Sequence, residues 1–244
     1  MNDPELLGIR TTTNFVLSAS GRILHQNSPD KEPGPRLYLA GCQSANVTLI
    51  RHDVGERTAQ AIERLAADEP PLRDRDSLPV RLDEYLDLLS AEAPVEQWDA
   101  GLIWTFPDHL DYEHPAVLVG SDTPEGDRLL DRLTEQGMPE ALLVAGFVDV
   151  GEFWAPWCVA LQGDEIASIA FAARLGPAAA ETGVYTFAAF RGRGLAPAAT
   201  AGWASLPALS GRRLFYSTSR TNISSQRVTQ RLGLRFIGAS LTIT

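Results

Sequence analysis

Residues Phe190–Ala204 read FRGRGLAPAATAGWA, and this stretch decides the fold. The residues before it, 184–190, have strand character. The alanine-rich run from Gly194 to Ala204 predicts a helix, with Pro197 in its first turn, where the missing N–H costs no helical hydrogen bond. A strand that turns through RGRG directly into a helix leaves several backbone N–H groups without a helical acceptor. Those donors, at the positive end of the helix dipole, make an anion site suited to a pyrophosphate. Gly192 and Gly194 allow conformations and a close approach that a Cβ forbids. Arg191 and Arg193 add charge. A plain surface loop can have the same composition, so the corner gains meaning only from what surrounds it.

The surroundings are acidic. The 244-residue chain carries 31 Asp and Glu against 21 Lys and Arg, a formal net charge of −10. Binding nucleic acid or an anionic membrane in general requires a basic surface, so neither is expected as a partner, and any anion site must be local. The hydrophobic fraction of 44% is that of an ordinary soluble globular protein. MNDPELLGIR lacks the cationic start and apolar core of a signal peptide, and no run approaches the roughly 18 apolar residues of a membrane span. The expected setting is the cytoplasm. Cys42 and Cys158 stand far apart, without a CxxC pattern, and read as reduced structural thiols. His25, His52, His109 and His114 have no metal-ligand spacing, so no metal is expected.

Ahead of the decisive stretch, 116–120 is a short apolar strand. A helix over 125–136 points Leu129, Leu130 and Leu133 inward and stops at Gly137, and a second helix is predicted over 140–150. Strands follow at 157–161, 166–173 and 184–190. Beyond the 194–204 helix come a strand at 214–218, a helix at 224–232 and a strand at 235–243. The second half therefore reads βααβββαβαβ. In the first half, 15–17 and 23–24 flank a Gly-containing turn, strands are predicted at 36–40 and 47–51, and helices at 55–67 and 81–91. The charged LRDRDS at 72–77 reads as a solvated linker. The aromatic segment with Trp98, Trp104 and Phe106 has no clear period and suits a core or a pocket wall. Polar DHLDYEHP around Tyr112 marks a division into 1–111, an α+β accessory or specificity domain, and 112–244.

The corner R-x-x-G-x-A at Arg191–Ala196 and NISSQRVTQRLGLRFIG at Asn222–Gly238 together resemble the GCN5-related N-acetyltransferase family over roughly residues 115–244. The resemblance implies a mixed-sheet α/β fold, the acyl-CoA N-acyltransferase fold, in the C-terminal domain. It implies acetyl-CoA as cosubstrate and direct transfer of the acetyl group to a primary amine in a ternary complex. A longer acyl group, or a catalytically silent domain that senses acyl-CoA, are the alternatives. Monomer or homodimer are both compatible. On this resemblance Arg191, Gly192, Arg193, Gly194, Leu195 and Ala196 hold the pyrophosphate. Tyr185, Thr186, Phe187 and Ala188, on a bulged strand splayed from its neighbour, meet the pantetheine arm, and Asn222 and Ser225 complete the cofactor contacts. Acyl transfer asks for a base toward the amine and an acid toward the leaving thiolate. Glu181 is the candidate base. Thr229 stands where the family often has a tyrosine acid, which leaves Ser225 and Tyr216 as candidates for that role. With the motifs all in the second half, Trp98 or Trp104 of the first is expected to contribute to the acceptor pocket.

Overall fold

The computed structural model describes residues 1–244. The chain runs α1 (Asp3–Asn14), β1 (Phe15–Leu17), β2 (Ile23–Gln26), β3 (Leu37–Gly41), β4 (Asn46–Ile50), α2 (Glu56–Ala67), α3 (Leu82–Ser90) and β5 (Trp98–Thr105). It continues with β6 (Val117–Gly120), α4 (Pro124–Gln136), α5 (Glu140–Val144), β7 (Trp157–Gln162), β8 (Glu165–Leu175), β9 (Ala179–Thr186), α6 (Leu195–Ala204), β10 (Arg213–Ser219), α7 (Ile223–Arg231) and β11 (Arg235–Ile243). From β6 onward this is the expected βααβββαβαβ order. The fold is mixed α/β.

One nine-stranded sheet, in the order β4-β3-β11-β5-β10-β9-β8-β7-β6, runs through both halves of the chain. Only β9 and β10 pair in parallel; every other neighbour is antiparallel. Strand β5, from the first half, lies between β10 and β11 and pairs with both. The division at residue 111 thus parts the sequence without parting the sheet. No alternation is visible in β5 because both faces of the sheet are covered there: Leu102 and Trp104 pack into the core on one face and Ile103 into the core with α1 on the other, so the run is apolar up to its last residue.

Helices α2, α3, α6 and α7 cover one face of the sheet in a core that includes Ile62, Leu89, Ala199 and Val228. On α6, Ala198, Ala199 and Ala201 are buried, and side chains this small let the helix lie close on β7 and β8. Trp203 ends the helix in the core and donates its indole N–H to the Pro156 carbonyl at 2.9 Å. On the opposite face, α4 and α5 pack over β6–β8, while α1 and the β1–β2 hairpin pack over the middle strands.

Helix α1 was not foreseen. Its start is a capping box, with the Glu5 amide donating to Asn2 Oδ1 at 2.9 Å and the Asn2 amide to Glu5 Oε2 at 3.0 Å. Leu6 and Leu7 pack beside Phe215 and Ile237, but the second half of its buried face is Arg10, Thr11, Thr13 and Asn14. A polar buried face hides the helical period. Other boundaries also move. The helix expected over 140–150 ends at Val144, because Gly146 turns the chain at φ +92°. The strand expected over 184–190 is β9, Ala179–Thr186, followed by a single 3₁₀ turn at Ala188–Phe190. No helix is long and apolar enough to cross a membrane.

Candidate functional site

Strands β9 and β10 are in register from Ala179 opposite Arg213 to Thr182 opposite Tyr216, and there the pairing stops. Beyond that point β9 stays paired with β8 as far as Thr186, and β10 with β5 as far as Ser219. The two strands therefore splay, and the cleft between them is about 540 Å³, within the range of small-molecule sites. The expected bulge is present but lies on the neighbouring strand: Ala173 is the extra residue of β8, opposite Glu181 and Thr182. Phe187 donates its amide to Ala167 of the β8 side at 3.1 Å. By antiparallel alternation the polar backbone groups of Val184 and Thr186 then face the cleft. The Thr186 carbonyl does so visibly, since it accepts from Arg191 Nε at 3.2 Å.

The glycine-arginine corner forms one wall. Gly192 and Gly194 have φ of +78° and +79°, the left-handed region that L side chains rarely adopt. The amides of Gly192, Arg193, Gly194, Leu195 and Ala196 find no acceptor in the protein. Gly192 and Arg193 are exposed, and Leu195 is buried with Gly194 and Ala196 partly so; of the five residues, Gly192, Gly194, Leu195 and Ala196 line the cleft, and no side chain caps the helix. Their outward aim is held from behind. His114 Nδ1 accepts from the Ala116 amide at 3.1 Å, so its proton is on Nε2, which donates to the Arg193 carbonyl at 3.1 Å. Tyr112 stacks beside His114 and reaches the Gly194 carbonyl at 3.4 Å. The polar DHLDYEHP segment, read as a linker, thus backs the loop. Nothing in its sequence signals that role.

The predicted residues fall into three groups. Tyr185, Thr186, Arg191, Gly192, Gly194, Leu195, Ala196, Tyr216, Asn222 and Ser225 all line the cleft. Phe187, Ala188 and Arg193 do not: the Phe187 ring is buried among the aromatic side chains under α4, and Arg193 turns away to Gln162 Oε1 at 2.8 Å and the face of Phe190. Glu181 is on the other face of the sheet. Its carboxylate takes Arg10 Nη2 at 2.8 Å, Asn14 Nδ2 at 3.0 Å and the Ser217 hydroxyl. Arg10 Nε stands 2.6 Å from Oε2 without the alignment of a hydrogen bond. Burial by itself raises the carboxyl, but the Arg10 charge and the hydrogen bonds from Arg10, Ser217 and Asn14 outweigh it and hold Glu181 below the ordinary range. An acceptor saturated in this way is poorly placed to take a proton.

At the vertex of the splay, Tyr216 Oη and Ser225 Oγ are 2.7 Å apart. Two residues expected as alternatives for one role therefore form a pair. Burial raises the Tyr216 phenol above its usual range, with the bond to Ser225 pulling weakly the other way. Asn222 caps α7 by accepting from the Ser225 amide at 3.0 Å, which fixes Ser225 toward the tyrosine. Thr229 is buried against its own helix, donating to the Gln226 carbonyl at 2.8 Å, and is outside the cleft. Among the lining residues not singled out as site residues from the sequence are two arginines, Arg227 and Arg231 on α7.

The first-half tryptophans do not reach this site. Trp104 is in the core beneath the guanidinium of Arg75, and Trp98 is 43% exposed at the start of β5. Arg75 belongs to the LRDRDS segment, which is less free than a solvated linker: Leu72 is buried and accepts from the Ala239 amide at 3.0 Å. Cys42 and Cys158 are both free and buried, and burial together with Asp122 pushes the Cys158 thiol up to about 12. No group of three His, Cys, Asp or Glu side chains is gathered to hold a metal ion.

No family model matches the sequence, and no curated protein matches it. Among solved structures, the chain is similar to an acetyltransferase of the GNAT family from Colwellia psychrerythraea, with 15% identity over 66% of this chain and 60% of that one and a TM-score of 0.43. A GCN5-related N-acetyltransferase-like protein from Streptococcus suis matches at 19% identity over 66% and 68% of the two chains, TM-score 0.43. A tandem GNAT protein from the clavulanic acid biosynthesis pathway matches at 15% identity over 87% and 80%, TM-score 0.42. The chain spans less than two thirds of the Colwellia structure and 65% of a GNAT-family structure from Novosphingobium aromaticivorans.

Proposed function

We propose that this chain is a GNAT-type N-acetyltransferase that binds acetyl-CoA in the cleft between β9 and β10 and passes the acetyl group to a primary amine. The observation that carries the reading is the row of unpaired amides from Gly192 to Ala196 at the mouth of a cleft whose vertex holds a tyrosine–serine pair. The amides take the pyrophosphate. The pantetheine arm then lies along the unpaired edge of β9, which brings the thioester toward Tyr216. The Val184 amide is the oxyanion donor for the thioester carbonyl.

The amine enters from the face that carries α1, attacks the carbonyl carbon and forms the C–N bond as the C–S bond breaks. Its proton leaves to solvent on the side from which the amine enters, and the departing thiolate takes a proton from Tyr216, which Ser225 orients and reprotonates by relaying a proton from solvent. A phenol held above its usual range stays protonated through neutral pH, as an acid for thiolate must. Tyr216→Phe is expected to lower kcat by about 100-fold with acetyl-CoA affinity within about threefold of the parent. Release of CoA over a panel of primary amines, together with calorimetry, tests both reactions. Tight acetyl-CoA binding with no turnover of any amine replaces this reading with that of an acyl-CoA sensor.

A further inference from the structure

The carbonyl of Arg193 stands where the chain enters α6, and the residue four places on, whose N–H a helix would send to it, is Pro197. No backbone amide reaches that carbonyl. Its donor is His114 Nε2 at 3.1 Å, from a segment 79 residues earlier in the chain. Imidazole supplies what proline withholds. The neighbouring Gly194 carbonyl is in a different position: it takes the Ala198 amide at 3.3 Å as the first helical acceptor, and Tyr112 Oη only adds to it at 3.4 Å.

Along residues 110–116, Leu110, Tyr112, His114 and Ala116 are half-buried while Asp111, Glu113 and Pro115 are exposed. Tyr112 and His114 are neighbours on the inward side, with ring planes 5° apart, and the Ala116 amide donates to Nδ1 at 3.1 Å. The imidazole is thus held at both nitrogens. The consequence lies across the peptide. In a trans peptide the C=O and the following N–H point in opposite directions within one plane, and the only cis bond of this chain is Ala155–Pro156. A donor fixed behind the Arg193 oxygen therefore aims the Gly194 N–H forward, at a residue that lines the cleft. Glycine gives this plane little stiffness of its own.

Resting on the acyl-CoA reading above, we propose that His114 is a positioning residue for the cofactor: it sets the Arg193–Gly194 peptide plane so that the Gly194 amide meets the diphosphate. Each bond in the row from imidazole N–H through the peptide to a phosphate oxygen polarises the next. The coupling is reciprocal, so a diphosphate that His114 helps to bind strengthens the bond from His114.

Calorimetry of the full chain with CoA compares the parent with His114→Asn and His114→Gln. Asparagine matches the reach of Nδ1, keeps an acceptor for the Ala116 amide and offers Arg193 nothing. Glutamine matches the reach of Nε2 and restores an N–H. His114→Asn is expected to bind CoA about 3- to 10-fold more weakly, as for the loss of one hydrogen bond, and His114→Gln to stay within about twofold of the parent. A second measurement needs no variant. In nitrogen-15-labelled parent, the Nε2 proton of His114 should move downfield on saturation with CoA as its bond to Arg193 strengthens. An imidazole that only fills space predicts asparagine and glutamine equally weak and a proton resonance that CoA leaves unmoved; either result overturns the proposal, as does unchanged affinity in His114→Asn. If His114→Asn does not fold, the resonance of the parent decides. A parent that binds no CoA overturns the acyl-CoA reading itself, whereas CoA affinity indifferent to residue 114 overturns this step alone.

Discussion

Gly194→Trp is expected to weaken CoA binding by roughly 10²- to 10⁴-fold. The estimate follows from losing two charge-assisted hydrogen bonds at about 1.5–3 kcal/mol each, with 1.4 kcal/mol per factor of ten. Gly194 is the residue from which α6 starts, and its own amide and its neighbours' front the cleft. An indole there fills the space through which a diphosphate approaches. The backbone also resists any side chain, because φ is +79° and a Cβ would stand 3.2 Å from His114 Nε2. Part of any loss could therefore come from strain, and two comparisons separate the causes. Gly192→Trp has the same φ sign but nothing within 4 Å of its Cβ, and it too lines the cleft. Gly211→Trp bears the same strain at φ +77°, with open space around it, outside the cleft. If the cradle is assigned correctly, calorimetry finds CoA affinity lost at 192 and 194 and kept at 211. Unchanged affinity in a folded Gly194→Trp protein removes the corner from the site.

The corner was legible because its chemistry is local. RGRG between a strand and a helix dictates free amides whatever the tertiary context, and the structure places those amides on a cleft. The element order of the second half was legible for a related reason: hairpin turns, glycine stops and helical periods lie in short windows. What escaped was set by long-range neighbours. Strand β5 is hydrophobic on both faces because segments distant in sequence cover both: Leu102 and Trp104 join the core that includes Ala199 and Val228, and Ile103 the core with Leu6 and Leu7. Helix α1 buries an arginine and an asparagine because a carboxylate from residue 181 waits beneath them. Tyr112 and His114 act on carbonyls of residues 193 and 194. Only the α7 arginines left a readable trace, since Arg227 and Arg231 share a helical stripe with Ser224, and Asn222 and Ser225 were already marked. Charge at helical spacing beside a suspected site was the overlooked signal.

The second large effect concerns Glu181, which the sequence offers as a base and the geometry offers as an anchor. We propose that it is a positioning residue: it ties α1 to β9 one residue before the splay begins, so that Thr182 and Tyr216 stay paired at the vertex. Glu181→Gln leaves the buried Arg10 guanidinium without its counter-charge, and breaking a buried pair in this way costs about 3–5 kcal/mol. Urea unfolding at neutral pH is the measurement. The pH dependence follows from the sign of the shift. A carboxyl held below its unfolded value stabilises the fold above that value, near pH 4.3, and the contribution is lost as pH falls through the lower, folded value. The gap between parent and Glu181→Gln should therefore be full at pH 7 and close in acid. Arg10→Met should show a similar gap, and the double variant should lose well under the sum of the two, since both singles break one interaction. A general base predicts the reverse pattern: Glu181→Gln as stable as the parent, with turnover lost and its pH profile shifted. Stability within about 1 kcal/mol of the parent, a change typical of an unremarkable site, together with a loss of turnover, gives Glu181 back to the chemistry.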